Sequence, residues 1–569
     1  MSIDVNFMVG GEAGQGVQSI GFLLAKTLAR GGYHIFADQD YESRVRGGHN
    51  FFRVRVKDSE VGAIAELVDI LIALNKKSIE LHQKELAEKG VAIFDGDKVK
   101  GTGNNGGMLN VPLEQLAEDR AGNKLMSNTV ALGAALGLVG YEFEILDNVL
   151  REHFGGEIGE ENVKAARAGY DYVQEHFKGA IDYHIGRISG VKRMLLNGNE
   201  AVALGALAGG CKFVAAYPMT PVTSIMEYIA AKAEEFGTVV VQPEDEISAI
   251  NMVIGASYAG VRAMTATSGG GFCLMVEGLS LAGMTETPIV VVLGQRPGPA
   301  IGLPTRTEQG ELEFAIHAGH GEFPRAVLAP ATCENAFWLT VKAFNLAEKY
   351  QTPVILLTDQ HLASFYATND VFDLSKVVIE RGLLFSGDGV ADYKRHEITE
   401  SGISPRAFPL QQEGILVMTD SDEHDEEGHL IEDAETRIRM MEKRMRKLSA
   451  LRKEISSPEV YGPKKADMTL VGWGSTYGAI REAVDILHQE QFSVNLVHLT
   501  ELWPFPAEAV ADALGGARNI CVIENNATGQ LSHLIQAETN IKPERRILKY
   551  DGRPFTPAYL VREVRKGVL

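Results

Sequence analysis

The residues with the most chemical potential in this sequence are acids and hydroxyls placed where strands would end. In Gln242-Pro243-Glu244-Asp245-Glu246-Ile247-Ser248-Ala249, three consecutive acids follow the run Val239-Val240-Val241 and lead into small apolar residues, Ala249, Val253, Gly255, Ala256, Ala259 and Gly260. Acids at a helix N-terminus complement its dipole, and that reading suffices for Glu244 and Asp245. Glu246 differs, because it heads a nearly uncharged helix that should pack deep against a sheet. A carboxylate there is expected to be partly buried and functional, with a perturbed pKa. Upstream, Tyr217-Pro218-Met219-Thr220-Pro221 follows an apolar strand and precedes a helix starting near Thr223. Its two prolines fix two backbone angles and remove two donors, so Thr220 sits in a stiff turn with its hydroxyl at the helix start. A plain N-capping turn is the alternative.

Other stretches carry weaker signals. Gly10-Gly11-Glu12-Ala13-Gly14-Gln15-Gly16 joins a strand at residues 4 to 10 to a helix marked by Ile20, Leu23, Leu24 and Leu28, and its backbone amides could receive an anion. As a dinucleotide fingerprint it is defective, since Ser19 stands where a third glycine is wanted. Arg44-Val45-Arg46-Gly47-Gly48 either serves the same anion or forms a domain interface. His424, Asp425 and His429 offer metal-ligand chemistry, but they are read as a solvated acidic loop, and no metal site is assigned to this chain.

The elements that must position these residues alternate between β and α. Ile70 to Leu74 and Val91 to Phe94 continue the first strand-helix pattern, with a Gly/Asn loop at residues 101 to 107. Together they define a first α/β domain over residues 1–180, followed by a linker at 181–195. The β-branched runs Phe213 to Ala216, Val239 to Val241, Ile289 to Leu293 and Val354 to Leu357 predict a buried parallel sheet in a second domain, 196–375. Residues 376–462 degrade into Gly, Pro and charge, with an acidic run from Asp420 to Glu427 and a basic helix through Arg437, Arg439, Lys443, Arg444, Arg446 and Lys447. They are read as a connector. A third α/β domain, 463–569, opens at Met468-Thr469-Leu470-Val471-Gly472-Trp473.

Composition narrows the function classes. At 569 residues the chain exceeds one core, and roughly 150 residues per domain implies three or four. A net charge of −20 argues against nucleic acid or an anionic membrane as a partner, because both need a basic field. The N-terminus lacks the basic and apolar regions of a signal peptide, and no apolar run approaches the ~20 residues needed to span a bilayer, so the expected location is cytoplasmic. Four cysteines, Cys211, Cys273, Cys333 and Cys521, stand too far apart in sequence for a CxxC pair. They read as small buried hydrophobes, which argues against an iron-sulfur cluster on this chain.

Taken together, the Tyr217 to Pro221 turn, the acids before Ala249, Ser268-Gly269-Gly270-Gly271, Gln295-Arg296-Pro297 and Pro304-Thr305-Arg306-Thr307-Glu308-Gln309 resemble the alpha subunits of 2-oxoacid:ferredoxin oxidoreductases. The resemblance continues through Tyr393-Lys394-Arg395, Gly402 to Arg406 and Glu423-His424-Asp425. The N-terminal part is similar to the gamma domain of these enzymes, so the chain resembles a fused gamma-alpha subunit. The resemblance implies three α/β domains in the order gamma-like, thiamine diphosphate pyrimidine-binding and transketolase C-terminal-like. It implies that Glu246 hydrogen-bonds the pyrimidine ring, which promotes proton loss from the thiazolium carbon, and that Tyr217, Pro218 and Gly270 line the cofactor. Thr220 and Arg296 would hold the substrate carboxylate, with Arg306 a second candidate for a distal carboxylate. For both arginines a structural salt bridge is the alternative.

A diphosphate-binding half should show Gly-Asp-Gly with Asn-Asn about 30 residues on, to place Mg2+ and phosphates. Gly387-Asp388-Gly389 has no such companion, since the next Asn-Asn is Asn525-Asn526, and it is read as an ordinary turn. The chain is therefore expected to be half a site. A beta subunit would bring the diphosphate-binding domain, Mg2+ and a 4Fe-4S cluster, and thiamine diphosphate would be shared between the two chains. The implied reaction is reversible decarboxylation of a 2-oxoacid, best 2-oxoglutarate, to its acyl-CoA and CO2. Coenzyme A is the co-substrate and ferredoxin takes the electrons; the reverse direction is CO2 fixation. The expected assembly is a dimer of heterodimers. Pyruvate or a branched-chain 2-oxoacid as substrate, and a non-catalytic acyl-CoA-binding scaffold, are the alternatives.

Overall fold

A computed structural model of the chain describes residues 3–42, 47–99, 107–177, 184–188, 192–387 and 392–566. Three sheets are present, and the chain separates into two compact units. One comprises residues 1–196, 365–371 and 556–562; the other comprises 197–364, 372–555 and 563–569.

The first unit is built on an eight-stranded sheet. Its order is Met108–Asn110, Leu86–Phe94, Val68–Ala73, Asp4–Ala13, Gly47–Lys57, His34–Asp40, Tyr366–Asn369 and Met194–Asn197. The side reached through Val68–Ala73 is parallel, as the β/α alternation requires. On the other side Gly47–Lys57 runs antiparallel to both Asp4–Ala13 and His34–Asp40. The first strand extends past residue 10, through Gly10 and Gly11, so the expected glycine turn shrinks to Gly14–Gly16, where Gly14 and Gly16 have positive φ. Residues 184–188 and 192–195 of the expected linker are tied into this unit. Ile185 is fully buried, its amide donates to the Val139 carbonyl, and the Ile188 amide donates to Gly31. Two later segments also belong here, the strand Tyr366–Asn369 and the helix start at Thr556, whose hydroxyl donates to the Glu66 carboxylate at 2.7 Å. Arg44, Val45 and Arg46, and residues 101–106 of the Gly/Asn loop, lie outside the described residues.

The second unit holds two sheets. One has seven strands in the order Glu501–Trp503, Ala326–Leu328, Val354–Asp359, Val290–Gln295, Ala263–Ser268, Phe213–Ala215 and Val239–Val241. All its pairs are parallel except the outermost, which Glu501–Trp503 makes antiparallel. Val290–Gln295 and Val354–Asp359 are buried at every residue, which is why they read as unbroken apolar runs. The other sheet orders Glu459–Tyr461, Val494–Leu499, Met468–Trp473, Ile520–Glu524 and Arg545–Leu548. Because Glu501–Trp503 follows directly on Val494–Leu499, the last α/β segment lends a strand to the larger sheet. Val291, Leu293, Val471, Trp473 and Val497 share one core.

The 376–462 stretch is held tightly where it is described. Its basic helix, Ala434–Glu454, buries Lys443, Arg444 and Lys447. Lys443 Nζ and Lys447 Nζ both pair with the carboxylate of Glu286. His396 Nδ1 reaches Glu286 Oε1 at 3.1 Å. His424 corrects an expectation: it is fully buried, with its ring centroid 4.1 Å from that of His396, while Asp425, Glu427 and His429 are half-buried or exposed. Packing against a buried imidazole, which a sequence cannot display, removes His424 from the solvated loop. Asp388 and Gly389 of the Gly-Asp-Gly turn lie outside the described residues. No helix among the described residues is long and apolar enough to cross a membrane.

Candidate functional site

Four adjacent parallel strands of the seven-stranded sheet, Val290–Gln295, Ala263–Ser268, Phe213–Ala215 and Val239–Val241, release their chains on one edge. The carboxyl edge of a parallel sheet is where ligands collect, because loops and helix N-termini converge there. These ends deliver Arg296, Gly269 to Gly271, the Tyr217 to Pro221 turn, and Glu246.

The Tyr217 to Pro221 turn closes with the Val222 amide donating to the Met219 carbonyl, and the Thr220–Pro221 peptide is cis. The helix that follows, Thr223–Ala231, begins at Val222 with no side-chain cap, so Thr220 does not act as its N-cap. Arg296 Nη1 donates to the Thr220 carbonyl at 2.7 Å, and Asn199 Nδ2 donates to the Pro221 carbonyl at 2.7 Å. Thr220 and Arg296 are thus brought together, with Arg296 only 8% exposed. Burial lowers the pKa of its guanidinium, and the nearby Glu311 partly opposes this.

Glu246 is the first residue of the helix Glu246–Tyr258 and is 4% exposed. Its neighbour Asp245 is the N-cap, accepting from the Ser248 amide at 2.8 Å, as the dipole reading of that acid requires. Glu246 Oε1 is buried with no hydrogen-bond partner. Its chamber is tight. A Cβ at Gly271 would lie 2.6 Å from Glu246 Oε1 and 2.1 Å from Thr267 Oγ1, so only glycine lets the first turn of the helix Gly269–Met284 approach this carboxylate. Thr267 Oγ1 lies 3.8 Å from Met219 Sδ, which joins the chamber to the Tyr217 to Pro221 turn. Tyr217 is 39% exposed, and Gly270 is exposed as well.

Arg306 is held elsewhere. Its segment docks on the last α/β segment: the Thr307 amide donates to Gly552, Gln309 Nε2 donates to the Trp473 carbonyl at 2.9 Å, and a Cβ at Gly552 would lie 3.1 Å from Arg306 Cβ. Its backbone is therefore set by the Gly552 loop.

Sequence reasoning missed Glu311. Its amide donates to Gln295 Oε1 at 3.0 Å, and its side chain lies against Gly269, where a Cβ would be 2.3 Å from Glu311 Oε1. Oε2 is buried and unpartnered. Burial pushes this carboxyl up to about 8; Glu308 adds to the rise and Arg296 opposes it. In sequence Glu311 looks like any acid before a short helix, and only the approach of Gly269 reveals its direction. A recess of about 290 Å³ lined by Glu277, Ser280, His320, Phe323, Arg437 and Arg444 includes none of the residues at these strand ends.

Residues 204–443 match the family described as pyruvate flavodoxin/ferredoxin oxidoreductase, thiamine diphosphate-binding, while residues 6–172 and 466–560 match two further domains of such oxidoreductases. A 2-oxoacid:ferredoxin oxidoreductase alpha subunit from Sulfolobus sp is 36% identical, over 97% of this chain and 95% of its own. A 2-oxoglutarate synthase subunit KorA from Methanothermobacter marburgensis is 31% identical over 65% of this chain and 97% of its own. A solved 2-oxoglutarate:ferredoxin oxidoreductase from Magnetococcus marinus, bound to 2-oxoglutarate, coenzyme A and succinyl-CoA, is 34% identical with a TM-score of 0.92, covering 100% of both chains. The chain belongs to the family of 2-oxoacid:ferredoxin oxidoreductase alpha subunits, oxidoreductases with an iron-sulfur protein as acceptor, and carries their thiamine diphosphate-binding domain.

Proposed function

We propose that this chain forms the pyrimidine side of the catalytic site of a 2-oxoglutarate:ferredoxin oxidoreductase, with Glu246 as its catalytic carboxylate. The observation that carries this reading is the lone buried oxygen of Glu246 at the carboxyl edge of the sheet. A buried carboxylate oxygen without a donor is costly unless a ligand supplies one, and a protonated ring nitrogen of an aminopyrimidine is such a donor. Thiamine diphosphate, when bound, supplies a nucleophilic carbon and an electron sink.

The protein's own contribution is position and charge. Glu246 holds a proton on the ring nitrogen, in a chamber that Gly271 and Thr267 keep narrow and dry. Arg296, anchored on the Thr220 carbonyl, presents its remaining donors to the substrate carboxylate, with the Thr220 hydroxyl beside it. Tyr217, Pro218 and Gly270 border the cofactor. The names of the relatives favour 2-oxoglutarate over pyruvate or a branched-chain 2-oxoacid, and Arg306, although set by the Gly552 loop, is the second candidate for the distal carboxylate of that substrate.

The other half of the site comes from a beta subunit that carries the diphosphate-binding domain, Mg2+ and a 4Fe-4S cluster. Exposed apolar side chains on the elements that frame the chamber support a covering partner: Ile247 at 46%, Leu274 at 49%, Ile301 at 68% and Leu303 at 51%. Coenzyme A is the co-substrate, ferredoxin the acceptor, and the assembly a cytoplasmic dimer of heterodimers. The test is to purify the chain with its beta subunit and measure coenzyme A-dependent reduction of a one-electron dye over a panel of 2-oxoacids. Fastest turnover on 2-oxoglutarate supports the assignment. A preference for pyruvate overturns the substrate, and ligand binding without turnover in the reconstituted pair overturns the enzyme in favour of a scaffold.

A further inference from the structure

Two consecutive carbonyls of the Tyr217 to Pro221 turn are gripped by side chains from two other elements. Arg296 Nη1, just past the strand Val290–Gln295, donates to Thr220, and Asn199 Nδ2 donates to Pro221, each at 2.7 Å. Pro218 and Pro221 have no amide proton to donate, so the turn depends on what its carbonyls accept. It also lies directly on the strand that leads to Arg296. A Cβ at Gly294 would sit 2.4 Å from Val222 Cγ1 and 3.1 Å from Pro221 Cγ.

Asn199 is the second residue of the helix Gly198–Ala208 and is 2% exposed. The start of that helix is itself fixed. A Cβ at Gly198 would lie 2.3 Å from the Leu362 carbonyl oxygen, and the Leu362 amide donates to Asp359 Oδ1 at 2.9 Å, at the end of the strand Val354–Asp359. Asn199 Nδ2 makes two bonds, the second to Ser224 Oγ at 2.8 Å. The orientation of the amide follows from chemistry, because a carbonyl can only accept: turned over, Oδ1 would face the Pro221 oxygen with no proton between them. Held as it is, Oδ1 is buried without a donor, which costs stability. The helix does not require this side chain, since its N-cap is Asn197, which forms a capping box with Glu200. Asn199 is therefore placed for the turn and not for the helix.

We propose that Asn199 is a positioning residue for substrate: by fixing the Pro221 carbonyl it fixes the peptide next to Thr220, and with it the carbonyl that anchors Arg296 and the Thr220 hydroxyl. This rests on the assignment of Arg296 and Thr220 to the substrate carboxylate. Asn199 acts through the turn. Without its donor the turn is held from the Arg296 side alone, the Thr220 carbonyl and the guanidinium shift together, and the planar fork no longer matches a carboxylate. Glu246 is set by a different helix, Glu246–Tyr258, so proton handling is left as it was. The effect belongs to binding and appears in KM.

The experiment uses the complex of this chain with its beta subunit and 2-oxoglutarate as substrate. In Asn199→Ala, KM for 2-oxoglutarate is expected to rise about ten-fold, the upper end of what one hydrogen bond contributes, with kcat and the KM for coenzyme A near wild type. Asn199→Asp keeps the shape but removes the donor, and its KM at neutral pH should rise as well. Asn197→Ala is the control: it removes the helix cap and lowers the melting temperature, yet should leave KM alone. Unchanged KM in both Asn199 variants overturns the proposal, as does an equal rise in Asn197→Ala, which would make helix stability the cause. A double-mutant cycle tests the route. Added to Arg296→Met, Asn199→Ala should raise KM little further, and a full ten-fold addition overturns action through Arg296. Arg296→Met alone separates the underlying assignment: unchanged KM in it overturns the role of Arg296, whereas raised KM in it with no effect of Asn199→Ala overturns this inference only.

Discussion

Two clusters of buried charge in the second unit, one at each end of the helix Gly269–Met284, solve the same problem in opposite ways. At the C-terminal end, Glu286 is 1% exposed and ringed by partners: Lys443 and Lys447 pair with its carboxylate, and the His396 imidazole reaches it at 3.1 Å. Its carboxyl is held well below the usual carboxylate range, since the two ammonium groups outweigh the cost of burial. At the N-terminal end, Glu246 Oε1 and Glu311 Oε2 are buried with no donor. Burial alone therefore does not mark function. The distinction is whether the chain supplies counter-charge to its own buried acid: each oxygen of Glu286 is paired with a lysine, whereas among the described residues Glu246 and Glu311 meet no cation within an ion-pair distance.

The largest effect expected from this contrast is at Glu246. Glu246→Ala removes an acid that the fold does not use, so kcat of the complex should fall by about 100- to 10,000-fold, the range for a positioned proton-handling group. Circular dichroism and the melting temperature should hardly change. Near-normal turnover would remove Glu246 from the mechanism, and a large loss of stability would show that the chain itself had been using the carboxylate.

Glu286→Gln should do the reverse. Two lysines would be left buried without a counter-charge, and breaking a buried pair from one side costs about 3–5 kcal/mol. Denaturant unfolding should register that loss, while kcat per folded complex stays near wild type. Equal stability would mean that the cations relax to solvent and that the pairing is incidental.

Glu311 lies between these cases, and pH exposes it. Its folded pKa, about 8, lies above the ordinary carboxyl value, so between those limits the folded state holds a proton that the unfolded state has lost. The associated stability is full below the ordinary carboxyl range and is lost as pH rises toward 8, at roughly 1.4 kcal/mol per unit of pKa difference. Glu311→Gln does not titrate. Its melting temperature should therefore pull ahead of wild type as pH rises from 5 to 8, with the gap levelling off above that. A gap independent of pH would show that Glu311 does not hold its proton in the fold.

How legible this was depends on the range of the interactions. The parallel sheets could be read because strands buried on both faces must be continuously apolar. Glu246 could be singled out because an acid heading an uncharged helix is a local pattern. Long-range placement could not be read. Gly47–Lys57 mixes Arg53, Arg55 and Lys57 with Phe52, Val54 and Val56, and it is a strand because Asp4–Ala13 and His34–Asp40 flank it; Arg53 pairs with Asp38 at 2.7 Å and Arg55 with Asp4 at 2.8 Å. Lys443 and Lys447 read only as part of a basic connector helix until Glu286, more than 150 residues earlier, is seen between them. Glu311 was invisible for the same reason, since the glycine that admits it is 42 residues away in sequence.

The smallest effect tests the glycines of the helix that joins the two clusters. A Cβ at Gly271 meets the oxygens of Thr267 and Glu246, whereas a Cβ at Gly278, two turns on, meets Ile250 Cγ2 at 2.7 Å. Each methyl overfills a packed position, and Gly271→Ala and Gly278→Ala should each cost about 1–3 kcal/mol of stability. They differ in what has to move. At Gly278 an aliphatic side chain shifts within the core, but at Gly271 the displaced groups are the Thr267 hydroxyl and the carboxylate proposed as catalytic, and sub-ångström errors in such a group are expensive. Gly271→Ala should therefore lose about ten-fold or more in kcat, and Gly278→Ala close to none at matched stability. Equal kinetic losses in the two variants would mean that the helix transmits any distortion to the site, and that the narrow fit of Gly271 to Glu246 has no special part in turnover.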